Sequence, residues 1–255
     1  MAIIKNEIPI LEFDTEQTAV LNPTYENLGL NLPKKCVFAF LGAYIDEYAS
    51  KSDTKQVSTF ESATKHYPIY ITKYKGEDIV LCQAPVGAAA ATQILDWLIG
   101  YGVREVISAG SCGALEKFPE STFLVPNKAL RDEGTSYHYA PPSRFVEISE
   151  KARKAIEETI LEHSMKYQEV ITWSTDGFFR ETKEKVAYRK SEGCAVVEME
   201  CSALAACADF RGATWGMILY TADSLADVDK YDERNWGGNA YEYALTLCLD
   251  AVIKL

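Results

Sequence analysis

Histidine is scarce in this chain, with His66, His138 and His163 the only three among 255 residues. None has the spacing of a metal ligand, so a structural zinc site is not expected. The seven cysteines include no Cys-x-x-Cys pair and are odd in number. Lying within apolar runs, they read as reduced, buried thiols of a cytosolic protein rather than a disulfide framework. No segment approaches the roughly 20 apolar residues of a membrane span. Lys5 and Glu7 interrupt the first ten residues, so no signal peptide is expected. Positive charge is also in deficit: 26 Lys and Arg face 37 Asp and Glu, a net charge of −11. Such a surface repels a phosphodiester backbone, which argues against a nucleic-acid partner. A small anionic substrate stays open, because a local pocket can be positive on an acidic protein.

What is present suffices for a folded core, with 47% hydrophobic and 25% charged residues. Residues 1–35 are polar and irregular and read as an N-terminal arm. From residue 36 to 255, apolar runs of strand length alternate with helical patterns. Cys36 to Leu41 predicts a buried strand, and Ile69–Tyr74 with Asp78–Ala84 predicts a hairpin around Lys75-Gly76. A helix follows Gly87. Glu105 to Ala109 predicts a strand that runs into a loop, Gly110-Ser111-Cys112-Gly113. Ser149 is positioned to cap a helix reaching His163. Cys194–Val197 and Trp215–Thr221 predict strands, Cys201–Phe210 a buried helix, and Ala240–Leu255 a closing one. No repeat and no Pro-, Gly- or Ser-rich linker divides the chain, so a single α/β domain is the expectation.

Three constellations carry chemistry. In Gly110-Ser111-Cys112-Gly113-Ala114, two glycines let backbone N–H groups approach a ligand and Ser111 adds a hydroxyl. A tight strand-to-helix turn would use the same residues, and Cys112, without a basic partner nearby, reads as a small filler. In Val197-Glu198-Met199-Glu200-Cys201-Ser202-Ala203, two acids stand where a strand passes into a helix. An acid there can cap the helix. It can also accept hydrogen bonds from two vicinal sugar hydroxyls and support positive charge developing on the sugar ring. The third is Asp223, where the apolar strand Leu219-Tyr220-Thr221-Ala222 stops at an acid. Strand ends of α/β sheets are common ligand sites, and a simple capping role is equally open.

Together these motifs resemble the nucleoside phosphorylase superfamily. SAGSCGAL followed by LRDEGTSYHYAPP, from Ser108 to Pro141, resembles the uridine phosphorylase branch, and VVEMECSALA is similar to the superfamily's sugar-binding signature. Asp223 lies 23 residues after Glu200, which matches the acid that purine phosphorylases and nucleosidases use on the base. The resemblance implies a central mixed, twisted sheet flanked by helices. It implies Met199 and Glu200 on the ribose, with Glu200 on its 2′ and 3′ hydroxyls, and Phe178 of STDGFF stacked on the base. Asp223 would protonate or hydrogen-bond purine N7 as the base departs; this needs a raised pKa, which partial burial provides.

The chain also departs from the family pattern. The glutamine and arginine that read uracil in uridine phosphorylases correspond here to Thr182 and Glu184, while Arg180 is placed to reach the base instead. Where family phosphorylases hold phosphate with arginines, this chain has Gly42-Ala43-Tyr44, Ser108 and Lys65. Losing bidentate guanidinium donors is not conservative for a dianion. Lys65, Ser111 and the amides of its turn remain, with Arg131 read as an ion-pair residue beside Asp132 and Glu133. The nucleosidase branch has a Gly-Ala turn followed by a glutamate that activates water, and Gly42-Ala43 with Glu47 fits that spacing; a solvated helix start fits it too.

The resemblance therefore implies a pentosyltransferase that cleaves a purine or pyrimidine nucleoside with phosphate, giving free base and (deoxy)ribose 1-phosphate. No cofactor is implied beyond that co-substrate. Two alternatives stay open: a hydrolytic nucleosidase using Glu47 and water, and a nucleoside-binding protein without catalysis. The family pattern further implies a homodimer or homohexamer.

Overall fold

The structure, a computed structural model, describes residues 3–255; Met1 and Ala2 of the expected arm lie outside the described residues. Among the described residues ten strands and six α-helices follow one another as β1 (Lys35–Ala39), α1 (Tyr44–Lys51), β2 (Thr54–Glu61), β3 (His66–Tyr74), β4 (Glu77–Gln83), α2 (Ala88–Gly100), β5 (Glu105–Ala114), β6 (Phe123–Asp132), β7 (Phe145–Glu147), α3 (Glu150–Glu162), β8 (Gln168–Thr175), α4 (Lys183–Ser191), β9 (Cys194–Glu198), α5 (Cys201–Phe210), β10 (Thr214–Ser224) and α6 (Tyr241–Val252). The alternation is the α/β pattern expected, and all ten strands belong to one mixed sheet.

The alternation of side chains along β1 shows why the sheet lies at the centre. Cys36 and Phe38 point into one core with Trp97 of α2 and Leu204 of α5. Val37 and Ala39 point the opposite way, into a second core with Ile156 of α3 and Leu247 of α6. A strand apolar on both faces needs helices on both, which yields three layers. Buried Asp250 ties α6 to its surroundings by accepting hydrogen bonds from Tyr74 Oη (2.7 Å) and Lys75 Nζ (2.5 Å), with His163 Nε2 2.8 Å from its other oxygen.

One half of the sheet is open, running β2-β3-β4-β1-β5. The other half closes on itself: β5 pairs with β10, β10 with β6, β6 with β8, β8 with β9, and β9 returns to β5. Closure removes exposed strand edges from that half. It also corrects one expectation. Gly110-Ser111-Cys112-Gly113 is not a loop and opens no helix. It is the second half of β5, with Ser111 opposite Tyr220 and Gly113 opposite Val197. Space is tight at both glycines, for a Cβ on Gly110 would lie 3.4 Å from Phe40 Cβ and one on Gly113 3.0 Å from Val197 Cγ1, with the flexible ends of Met217 and Leu225 closer still. Bare backbone lets β5 serve two neighbours where the sheet curls.

The arm lies along α2 and the end of α5. Trp97 Nε1 donates to Glu26 at 3.2 Å, Leu32 N–H to the Tyr101 carbonyl at 2.8 Å, and Arg211 to the Gln17 carbonyl at 2.6 Å. Among the described residues no helix is long and apolar enough to cross a membrane.

Candidate active site

Strands β1, β4, β5 and β10 run parallel where they pair, so their carboxyl ends share one edge of the sheet. That edge carries a cleft of about 750 Å³, in the place where open α/β sheets bind ligands. Its walls come from the turn after β1 (Phe40, Gly42), the turn after β4 (Ala84, Pro85, Val86), the glycine-rich half of β5, the β9–α5 junction and Asp223 of β10.

At the β9–α5 junction the two acids divide the work. Glu198 is buried and turned inward. It accepts hydrogen bonds from the hydroxyls of Thr172 (3.1 Å) and Ser174 (2.6 Å) and from the backbone N–H groups of Glu200 (2.7 Å) and Cys201 (2.6 Å). It therefore caps the start of α5, where a carboxylate satisfies orphan amides and meets the positive end of the helix. Burial pushes its pKa up, and those same donors oppose the rise. A second chain of contacts locks the helix start from outside: Ser202 N–H donates to Ser174 Oγ, and Ser202 Oγ to Glu133, both at 2.9 Å.

With its own N–H held by Glu198, Glu200 sends its carboxyl into the cleft. One oxygen accepts from the Gly87 N–H at 2.5 Å. Gly87 has φ of 101°, a left-handed conformation that suits glycine, and so aims its amide at the acid from the β4–α2 turn. Burial raises the pKa of Glu200, and the neighbouring Glu198 charge adds to the rise; the amides of Gly87 and Met199 oppose it. A carboxyl in this state gains from a ligand that brings hydrogen-bond donors.

Asp223 lines the same cleft, as do Phe178, Glu181 and Trp236. Burial again raises its pKa, against the Tyr231 hydroxyl and the Arg234 charge. Glu181 is pushed up to about 7 by burial and then by Asp223, with Lys185 opposing. Glu181, lifted to about 7, can donate as well as accept a proton near neutrality, and it stands with the raised Asp223 and an exposed aromatic ring in the same lining.

The remaining candidates fall on either side of the lining. Met199, Gly42, Lys65 and Ser111 line the cleft. Lys65 Nζ donates to Gln83 at 3.3 Å and stands 5.0 Å from the Tyr67 ring centre. Ser108 does not reach it, because it is buried and accepts a hydrogen bond from Trp215 Nε1 at 3.0 Å. Arg131 is structural, but its partners differ from those expected. It donates to the carbonyls of Pro141 (2.6 Å) and Ala140 (3.1 Å) and to the hydroxyls of Ser136 and Ser143, while Asp132 pairs with Lys185 and Arg189. Glu47 and Arg180 are exposed and outside the lining. Ile45 and Ala49 are the buried positions of α1, and a residue two places from each projects from the opposite face. Thr182 caps α4 through the Lys185 amide, and Glu184 follows it in the exposed first turn.

Sequence reasoning missed Glu181, Gly87, Tyr67 and Trp236, all close to or within this cleft. Gly87 carried a readable signal, a glycine between a strand and an alanine-rich helix. Glu181 carried none, since an acid in a polar stretch of the chain looks solvated.

Comparison with known proteins places the chain among relatives. A family model described as the phosphorylase superfamily matches residues 34–254. The chain is 30% identical over 158 residues to the 5′-methylthioadenosine/S-adenosylhomocysteine nucleosidase of Buchnera aphidicola, covering 57% of this chain and 67% of that protein. It is 24% identical over 219 residues to the guanosine phosphorylase of Halorubrum lacusprofundi, covering 83% and 89%. The uridine phosphorylase structure from Vibrio fischeri superposes with a TM-score of 0.77 at 23% identity, covering 89% of this chain and 95% of that one, a likeness of fold.

Proposed function

Because the chain belongs to the phosphorylase superfamily, we propose that it is an enzyme that cleaves the N-glycosidic bond of a purine nucleoside, and that water accepts the pentosyl group. The observation that carries the reading is the meeting of Glu200 and Asp223, from separate elements, in one cleft that the partly exposed Phe178 also lines.

The base stacks on Phe178 with N7 toward Asp223. The buried carboxyl, its pKa raised, carries a proton to N7 as the C1′–N9 bond lengthens, so the electron pair of that bond leaves on a neutral base. The sugar acquires oxocarbenium character. Glu200, accepting from the 2′ and 3′ hydroxyls, stabilises that charge more than it stabilises the ground state. Water adds to C1′ and releases its proton to solvent, and Asp223 regains from solvent the proton it gave to the base, so one proton is lost and one taken up in each turnover.

Electrostatics favour the neutral acceptor. Among the described residues lining the cleft Lys65 is the one cation and no guanidinium is present, so the bidentate donors that suit a dianion are missing. A second reading, phosphorolysis to (deoxy)ribose 1-phosphate, draws on Lys65 and Ser111 lining the same cleft, where they would hold phosphate as co-substrate. Assembly as a homodimer or homohexamer belongs to the same proposal and is read by light scattering.

Purified protein incubated with inosine, adenosine, guanosine, uridine and methylthioadenosine, with and without phosphate, tests both readings. Free ribose or its 5′-thio analogue, released at a rate independent of phosphate, is the expected result. Ribose 1-phosphate formed only with phosphate overturns hydrolysis in favour of the second reading. Tight nucleoside binding without turnover overturns both and marks a binding protein.

A further inference from the structure

Beyond Asp223 the cleft opens into a second cavity of about 550 Å³, whose lining includes Phe178, Phe179, Glu181, Asp223, Tyr231 and Trp236. Phe178, Glu181, Asp223 and Trp236 belong to both cavities, so the two are continuous. The walls of the second are aromatic to an unusual degree for surface exposed to water. Phe179 is 93% exposed, Tyr231 53% and Trp236 49%. Phe179 meets Phe178 edge to face at 5.0 Å, Phe178 lies 6.4 Å from Trp236, and Trp236 lies 6.4 Å from Tyr231, which makes one unbroken aromatic surface. A contiguous apolar patch of this kind, rimmed by polar groups and joined to a reaction cleft, marks a place where a ligand is to be covered.

The chemistry of the ligand follows from the purine ring. N7 and the substituent on C6 lie on the same edge of the base. A purine whose N7 meets Asp223 therefore directs its C6 substituent past Asp223, toward the aromatic walls. Glu181 stands at the boundary between the cavities and offers an acceptor to an N–H there. We propose that the second cavity is a subsite for an apolar, preferably aromatic, group carried on the exocyclic C6 nitrogen of the purine, with Glu181 accepting the one N–H that such a secondary amine retains. The inference rests on the purine nucleoside reading and extends it: the site accepts N6-substituted adenine nucleosides that a pocket closed around the base would exclude.

Steady-state kcat/KM for adenosine and for N6-benzyladenosine, measured on the parent protein and on Phe179→Ala, decides the matter. Phe179 lines the second cavity and not the first, and its exposure makes its truncation harmless to the fold. The parent protein is expected to cleave N6-benzyladenosine at least as efficiently as adenosine. Phe179→Ala is expected to lower the value for the benzyl substrate roughly tenfold, in the range of small changes to an apolar pocket, and to leave adenosine within about twofold. Adenosine cleaved normally while the benzyl substrate is slower by a hundredfold or more overturns the subsite alone. So does a Phe179→Ala effect equal on both substrates. Failure to bind or cleave either nucleoside overturns the underlying reading and the subsite with it.

Discussion

Glu198 is the residue on which the geometry of Glu200 depends, and its replacement has a cost that the structure lets one calculate. The carboxylate accepts four hydrogen bonds in a buried site, two from hydroxyls and two from backbone amides. In Glu198→Ala the hydroxyls of Thr172 and Ser174 can turn to other acceptors, but the amides of Glu200 and Cys201 cannot. Each orphaned buried donor costs about 1–3 kcal/mol, so the two amides alone cost about 2–6 kcal/mol before the cavity is counted. Against a total stability of about 5–15 kcal/mol, that brings the protein close to unfolding. Glu198→Gln is gentler. Its amide oxygen still accepts from both backbone N–H groups and its nitrogen donates to the hydroxyls, so only the charge assistance is lost, about 1–2 kcal/mol. At about 2–4 °C per kcal/mol for a chain of this size, Glu198→Gln melts about 2–8 °C below the parent. Circular dichroism melts of both variants, with urea titrations to confirm the order, make the check. An alanine variant that melts within about 1 °C of the parent refutes the capping role and the account of how Glu200 is held.

Three further outcomes are expected from the same structure. Glu181 binds its proton more tightly folded than unfolded, with a pKa of about 7 against 4.5, so stability falls as pH rises through that window; after discounting for the solvent-open cleft, Glu181→Gln stabilises the protein by about 1–2 kcal/mol at pH 8 and by little at pH 4 in urea unfolding. Glu200 has a raised pKa in the free protein, and sugar hydroxyls donating to it favour the carboxylate. The bound state then holds fewer protons, so nucleoside affinity rises as pH increases between the bound and free pKa values, and calorimetry in buffers of different ionisation enthalpy registers proton release; proton uptake contradicts that role. A Cβ at Gly216 would lie 2.6 Å from Ala152 Cβ and 3.2 Å from Ile156 Cδ1, so Gly216→Ala pushes α3 off β10 and costs about 1–3 kcal/mol by overpacking, read as a lower midpoint in urea.

How much of this was legible in the sequence depended on whether a residue's burial left a pattern. The helix Cys201–Phe210 was visible to the residue because every position through Ala208 is buried and apolar or small. Strand β2 escaped notice because it is a polar edge strand with Phe60 its one buried residue. Helix α4 escaped because it buries only Val186 and Arg189. The closure of β5 on β9 left no local trace, since it depends on residues more than eighty apart in sequence. At the site, Glu200 and Asp223 stood out as acids ending apolar runs. The separate duties of Glu198 and Glu200 did not, because which of two nearby acids turns inward is decided by Thr172 and Ser174 on another strand.

The most direct test of the account uses a leaving group that needs no proton. Asp223→Asn and Glu200→Ala are assayed on a purine nucleoside and on 4-nitrophenyl β-D-ribofuranoside, whose nitrophenolate departs unaided. With Asp223 serving the base, its replacement lowers kcat/KM on the nucleoside by about 10²–10⁴ and on the nitrophenyl riboside by less than about tenfold. With Glu200 serving the sugar, its replacement lowers both by about 10²–10³. Equal losses on both substrates for Asp223→Asn, or nucleoside cleavage that survives either change, would contradict the division of labour between the two acids.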